Sequence, residues 1–348
     1  MRMEHLNKIH ATLDNSVKTV HPKIVDQHDR IFTYLRLAVN EYCNLRCIYC
    51  MPKEGLPFRN KTQLLSTQEI KQLLKITAQL GVSKIRFTGG EPLLRKDINR
   101  LVDYAINLNG INSVNITTNG ILLNKYLKDF EMAGLSGLNI SLDTLRNNRF
   151  KKITRRDNLD EVIENIHLAI QSGIPSIKIN VVAMRDFNED ELIDFANLTI
   201  DNDITVRFIE LMPFDSDQIW KTGKFYHSKD ILKDLQKRLN KINLIGGSST
   251  EHYAFQLQGA KGKVAIIPSY TRNLCGLCNR IRITADGKLL NCLYSKDESS
   301  LRDVMRNNGS DEKIKSIILQ SFINKHKDGW AAQNINGNHR ESMSQIGG

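Results

Sequence analysis

Two groups of three cysteines carry most of the chemistry this sequence can do. They stand as Cys43-x3-Cys47-x2-Cys50 and Cys275-x2-Cys278-x13-Cys292, and together they use all 6 cysteines of the 348-residue chain. Neither triad can pair internally as disulfides without leaving a thiol over, so metal or redox chemistry is the better reading. Structural zinc closes its shell with four ligands, whereas a four-iron cube held by three cysteines leaves one iron without a protein ligand. An open iron can chelate a cofactor or substrate, and an electron delivered there can break a bond in it. A zinc knot completed by a distant histidine is the alternative, with His252 the nearest candidate fourth ligand for the second triad.

Other polar residues are spaced as if to serve a ligand. Gly89-Gly90 follows a strand-like segment, where missing side chains permit close backbone approach to a ligand or merely a turn. Lys178 and Asn180 share one face of a strand, and Arg207 lies within the next. Cations there need an anion if they are buried, or else they face solvent at a sheet edge. Between the second-triad cysteines, Asn279-Arg280-Ile281-Arg282 places two guanidinium groups on one strand face. That pair can grip a purine base or a phosphate beside a metal.

The elements that must position these residues alternate along the chain. Short segments rich in β-branched residues at 32–39, 84–88, 113–118, 137–142, 176–183 and 205–211 read as strands. Helical periodicity fills 66–80, 97–108, 123–133, 159–172, 189–202 and 228–239. Ser66 with Glu69 forms a capping signal, and Gly81, Gly134 and Gly173 are the expected stops. Six βα units imply a parallel sheet with helices outside it. An open, partial (βα)6 TIM-type barrel is the expected α/β fold, with a doubly wound sheet as the second choice. In either fold, sites form beyond the carboxyl ends of the strands, where both the cysteine loop and Gly89-Gly90 fall.

After Gly246-Gly247 the pattern shifts to short strands at 251–257, 262–267 and 280–290, with Asp286-Gly287 a hairpin signal. One or two helices and a polar tail ending Ile346-Gly347-Gly348 follow from about residue 301. The expected division is a polar tail over 1–30, a barrel over 31–245 and a mixed C-terminal module over 246–348 that carries the second triad.

The formal net charge of +11 suggests an anionic partner. Lys and Arg are dispersed rather than blocked, and no nucleic-acid module is recognisable, so no nucleic-acid partner is expected. A nucleoside triphosphate accounts for the charge as well as a generally basic surface does. No apolar run approaches the ~20 residues of a membrane span. Glu4, Asp14, Asp26 and Asp29 interrupt a stretch without a signal-peptide core, so a cytoplasmic protein is expected.

Cys43-Asn44-Leu45-Arg46-Cys47-Ile48-Tyr49-Cys50 resembles the signature of the radical S-adenosylmethionine (SAM) superfamily. The resemblance implies a 4Fe-4S cluster on Cys43, Cys47 and Cys50 whose open iron binds SAM. Thr88-Gly89-Gly90-Glu91-Pro92 resembles the superfamily's SAM-binding Gly-Gly-Glu motif, which implies SAM contacts at Gly89, Gly90 and Glu91. Tyr49, Ser141 and Met212 resemble further SAM contacts, and Thr117 a substrate contact.

Over residues 30 to 348 the chain resembles the GTP 3′,8-cyclases of molybdenum cofactor biosynthesis. That resemblance implies a second 4Fe-4S cluster on Cys275, Cys278 and Cys292, open toward the guanine of GTP. It implies GTP contacts at Arg36, Arg86, Thr117, Lys178, Arg207, Arg280 and Arg282. Arg36, Lys178, Arg280, Arg282, Gly347 and Gly348 carry over as catalytic positions. The implied reaction is removal of H3′ of GTP by a 5′-deoxyadenosyl radical, then C3′–C8 bond formation. Its product is (8S)-3′,8-cyclo-7,8-dihydroguanosine 5′-triphosphate, in the first step of molybdopterin biosynthesis. The implied partners are an electron donor such as flavodoxin or ferredoxin and, by product hand-off, cyclic pyranopterin monophosphate synthase; a homodimer is compatible. The rival readings are a peptide maturase with an auxiliary cluster and a zinc-stabilised nucleic-acid-binding protein.

Overall fold

A computed structural model describes residues 23–212, 223–239, 242–247, 253–271, 275–295, 297–333 and 342–346. His252, Gly347 and Gly348 lie outside the described residues. Six strands, β1 (Tyr34–Ala38), β2 (Lys84–Thr88), β3 (Ser113–Thr118), β4 (Gly137–Ser141), β5 (Ile177–Ala183) and β6 (Ile204–Glu210), match the six sequence segments. Between and after them run α1 (Thr67–Gln79), α2 (Ile98–Ile106), α3 (Leu127–Ala133), α4 (Asn147–Thr154), α5 (Leu159–Gln171), α6 (Leu192–Asp201) and α7 (Ser228–Arg238). Of these only α4 is absent from the sequence reading.

The local signals act as their chemistry predicts. Ser66 accepts from the Glu69 N–H while the Glu69 carboxylate accepts from the Ser66 N–H, which closes the capping box of α1. Gly134 ends α3 in the left-handed region at φ 83°. Gly173 does not act as a stop: Ser172, in extended conformation, caps α5 instead.

Each barrel strand alternates, with its apolar side toward the helices. Leu35, Leu37, Ile85, Phe87, Ile116 and Phe208 are fully buried in one cluster shared with the helix faces. Phe208 meets Phe195 of α6 edge-on, with centroids 6.4 Å apart. Truncating it to Ala would cost about 3–5 kcal/mol. The opposite side of each strand is polar and faces the barrel interior, which is why these strands do not read as continuous apolar runs.

The remaining strands are β7 (Ile242–Leu244), β8 (Tyr253–Leu257), β9 (Lys263–Ile267), β10 (Arg280–Ile283), β11 (Lys288–Leu290) and β12 (Ser299–Ser300). All twelve form one sheet in the order β12-β11-β10-β1-β2-β3-β4-β5-β6-β9-β8-β7. Strands β1 to β6 lie in sequence order, without the reversal that defines a doubly wound sheet, so the open partial barrel is the fold. The C-terminal module joins the same sheet: β9 pairs parallel with β6, and β10 pairs parallel with β1. An open sheet has two rows of unpaired backbone groups, and the C-terminal strands satisfy both. The polar tail is shorter than residues 1–30, because Ile24 is buried and the Phe32 N–H donates to its carbonyl at 2.9 Å.

Helices α8 (Leu301–Arg306), α9 (Asp311–Ile323), α10 (Gly329–Gln333) and α11 (Met343–Ile346) complete the described chain. Phe322 of α9 packs on Phe32 at 4.5 Å between centroids and so ties the C-terminal region to the start of the barrel. Among the described residues no helix is long and apolar enough to cross a membrane.

Candidate active site

Both cysteine triads open into one cavity of about 360 Å³ inside the barrel. That volume lies in the range of small-molecule sites, roughly 300–1,000 Å³. The first triad sits on the loop after β1. The N–H groups of Cys50 and Met51 both donate to the Cys47 carbonyl, at 2.8 and 3.0 Å, which winds the loop into a tight turn. Arg46 N–H and Ile48 N–H donate to the carbonyls of Thr154 and Ile153, so the end of α4 braces the loop from outside. Burial pushes the Cys43 thiol up to about 12, and Cys47 and Cys50 also move upward. Buried thiols that resist ionisation alone give up their protons when a cation shares the site, which suits a cluster-binding triad.

The second triad lies across the cavity. Cys275–Leu277 is a 3-10 turn in which the Cys278 N–H donates to the Cys275 carbonyl at 3.1 Å, and Cys292 follows β11. Burial would raise the Cys278 thiol, but Lys325, Arg280 and Arg282 outweigh it and lower its pKa. The cations thus act at Cys278, whereas burial raises Cys275. Among the described residues no group of His, Cys, Asp or Glu converges closely enough for a single metal ion.

Strand register builds a cationic wall between the triads. Arg36 of β1 is paired with Arg282 of β10 on one side and Arg86 of β2 on the other. Lys178 of β5 and Arg207 of β6 face the same cavity, as does Arg280. Eight cationic side chains and three carboxylates line it. Glu210 is engaged elsewhere, accepting from the N–H groups of Ser228, Tyr270 and Thr271. Burial first, then neighbouring cations, lowers Arg86 and Arg282 to about 9 each. Guanidinium groups stay protonated in proteins, so this is unfavourable energy that a bound anion would relieve. Arg86 Nε and Arg282 Nη1 are buried without a hydrogen-bond partner. These orphaned donors and the surplus of cations fit a polyanion.

Gly89 and Gly90 line the cavity, but the close approach they permit is first of all to the chain itself. A Cβ on Gly89 would lie 2.4 Å from the Asn40 carbonyl oxygen, and one on Gly90 2.3 Å from that of Tyr42. The glycines thus let the loop after β2 cross the loop after β1 in contact. Glu91 completes the crossing, for its carboxylate accepts from Leu93 N–H, Thr118 Oγ1 and Asn119 N–H at 3.0, 2.7 and 2.7 Å. Burial nevertheless raises Glu91 to about 7.

Tyr49, Thr117, Ser141 and Met212 all line the same cavity. Tyr49 also braces its own loop, because its hydroxyl donates to Asp143 Oδ2 at 2.7 Å, while Asp143 Oδ1 accepts from Val182 N–H at 2.8 Å. Burial raises Asp143 to about 6. Sequence reasoning missed Asp143, Tyr34, Lys84 and Lys325. Two of these were legible, since Tyr34 and Lys84 lie two residues from Arg36 and Arg86 and therefore on the same strand faces. The Tyr34 ring has Lys84, Arg86 and Arg36 at 5.1, 5.4 and 5.8 Å from its centroid. Burial alone would raise its phenol, but Arg86, Arg36 and Arg280 bring it down to about 7.

Residues 37–199 match the family model of the radical SAM superfamily, and residues 204–330 match that of Molybdenum Cofactor Synthesis C. A GTP 3′,8-cyclase from Chlorobaculum tepidum is 42% identical, over 93% of this chain and 97% of its own. Molybdenum cofactor biosynthesis protein 1 from Homo sapiens is 43% identical over 85% of this chain, which spans 46% of the longer human protein. Among solved structures, SuiB of Streptococcus suis bound to S-adenosylmethionine superposes with a TM-score of 0.56 at 15% identity, covering 83% of this chain and 69% of SuiB. The enzyme anSMEcpe with bound AdoMet and a peptide gives 0.52 at 15% identity, covering 83% and 82%. At that identity the two superpositions speak to the fold alone.

Proposed function

The chain belongs to the GTP 3′,8-cyclases of the radical SAM superfamily, and from that membership we propose how its two triads and its cationic wall divide the work. It is an enzyme of molybdenum cofactor biosynthesis that uses SAM and a 4Fe-4S cluster. The observation that carries the finer reading is the single cavity shared by both triads and the arginines.

Cys43, Cys47 and Cys50 hold the SAM-binding cluster, and Cys275, Cys278 and Cys292 hold a second cluster. When bound at these residues, the cluster and SAM would supply one-electron radical chemistry for hydrogen abstraction at C3′ of GTP and C3′–C8 ring closure. Everything else is the work of side chains and backbone. Tyr49, Gly89, Gly90, Glu91, Ser141 and Met212 seat SAM against the first triad. The Tyr49–Asp143 hydrogen bond holds the cysteine loop to the end of β4. Arg36, Arg86, Lys178 and Arg207 neutralise the triphosphate, Thr117 adds a hydroxyl contact, and Arg280 and Arg282 hold the nucleotide beside the second triad. Arg207 is aimed by Asn139, whose Oδ1 accepts from its Nη2. Gly347 and Gly348 are proposed to act at the same site, and the C-terminal segment does approach it: Ser342 Oγ donates to the Cys50 carbonyl at 2.6 Å. A flavodoxin or ferredoxin supplies the electron, and cyclic pyranopterin monophosphate synthase takes the product.

The test is anaerobic reconstitution with iron and sulfide, followed by assay of 5′-deoxyadenosine with SAM and reductant, with and without GTP. Stimulation by GTP, with GTP converted to a cyclised isomer, is the expected result. Deoxyadenosine that forms at the same rate without GTP, and leaves GTP intact, would overturn the substrate assignment.

A further inference from the structure

We propose that Arg30, in the segment before β1, is a positioning residue that clasps the loops of the second cysteine triad; the inference rests on the reading of that triad as a cluster site. Arg30 is 8% exposed, and its guanidinium reaches two distant segments at once. Its Nη1 donates to the carbonyls of Cys275 and Lys327, both at 2.8 Å, and its Nη2 donates to the His326 carbonyl at 2.7 Å. One side chain thus joins the turn that carries Cys275 and Cys278 to the segment after α9.

That segment in turn holds the third cysteine. Lys325 Nζ donates to the carbonyl of Asn291, the residue before Cys292, and Asn291 Nδ2 donates to the carbonyl of Ser321, in the last turn of α9, at 2.8 Å. Gln27 Nε2 adds a bond to the Lys325 carbonyl at 3.2 Å. All three cysteines of the triad are therefore referred, through backbone carbonyls, to residues 26–30. Three cysteines from two loops can hold a cluster only if the loops keep their spacing, and a planar fork with five donors can fix several carbonyls at once.

The clasp is itself preset. Asp26 balances the buried charge, its Oδ2 accepting from Arg30 Nε at 2.6 Å. Its Oδ1 accepts from the N–H groups of His28 and Arg30, which closes the turn, and Asp29 takes a left-handed φ of 60° to complete it. No comparable contact runs from Arg30 to the first triad among the described residues, so the two triads should respond differently to its loss.

Arg30→Met, Arg30→Lys and a variant with all three second-triad cysteines changed to Ala are reconstituted anaerobically beside the wild type. Iron, sulfide and electron paramagnetic resonance are then measured, together with SAM cleavage in the absence of GTP. Wild type should hold about eight irons per chain, and the triple-cysteine variant about four. Arg30→Met should fall to about four, with the spectrum of the triple-cysteine variant and with SAM cleavage retained. Arg30→Lys keeps the charge but not the fork, and should release about half of its iron to a chelator several-fold faster than wild type. Should the Met variant fail to fold, the Lys variant carries the test. Arg30 variants with wild-type iron content and release rate, or equal loss from both triads, would overturn the proposal. Wild type with only about four irons would refute the cluster reading beneath it, before any variant is made.

Discussion

Replacing Arg282 by Met should make the ligand-free protein more stable and the nucleotide complex weaker. Arg282 is 5% exposed, faces Arg36 across the β1–β10 pair, and shares a strand face with Arg280. Burial, then Arg36 and Arg280, lowers its pKa from the ordinary guanidinium value to about 9. At about 1.4 kcal/mol per unit this is an order-of-magnitude penalty of about 5 kcal/mol on the charged form. The guanidinium stays protonated, so the folded protein carries the penalty until an anion arrives. Methionine has similar length and no charge, and replacing a buried charge by an apolar side chain can stabilise by about 1–4 kcal/mol. A gain of about 2 kcal/mol is expected, read as a rise of a few degrees in the melting temperature of the ligand-free protein. Loss of a buried charge contact costs about 2–5 kcal/mol of binding, so the dissociation constant for GTP should rise by about 30-fold or more. Thermal unfolding and calorimetric titration on the same samples read both quantities. A lower melting temperature with unchanged GTP affinity would refute the argument.

Tyr34 makes a pH prediction whose sign is fixed. Its folded pKa of about 7 lies below the unfolded value near 10, so its contribution is fully present above pH 10 and is lost as pH falls through 7. Ligand-free stability should rise between pH 7 and 10, and Tyr34→Phe should flatten that rise in denaturant titrations. Saturating GTP, by neutralising the surrounding cations, should move the phenolate absorption to higher pH. Gly90→Ala should cost at least about 2 kcal/mol and weaken SAM binding, since the new Cβ meets the Tyr42 and Glu41 carbonyl oxygens at 2.3 and 2.5 Å; full stability by denaturant titration would count against the crossing of the two loops.

The barrel was legible in the sequence because each strand keeps its own period. Residues 84–88 and 113–118 match β2 and β3 at both ends. Pairing was not legible, because alternation says that 263–267 and 280–283 are strands but not which edge they seek. Hence β9 and β10 read as a separate module, when they add parallel strands to opposite edges of the barrel. The cysteines, the glycines and most of the arginines and lysines of the site stood out by spacing or by resemblance. Tyr34 and Lys84 follow from strand period alone once the wall is known. Lys325 and Arg30 carry no such signal: each acts through carbonyls distant in sequence, which no local pattern encodes.

The central claim is that both triads serve one substrate within one cavity. The most direct measurement is transfer of deuterium from GTP labelled at C3′ into 5′-deoxyadenosine, followed by mass spectrometry in the anaerobically reconstituted enzyme. One deuterium in deoxyadenosine, matched by a cyclised GTP isomer, is the predicted result. Unlabelled deoxyadenosine from protein with both clusters loaded and GTP bound would contradict the account.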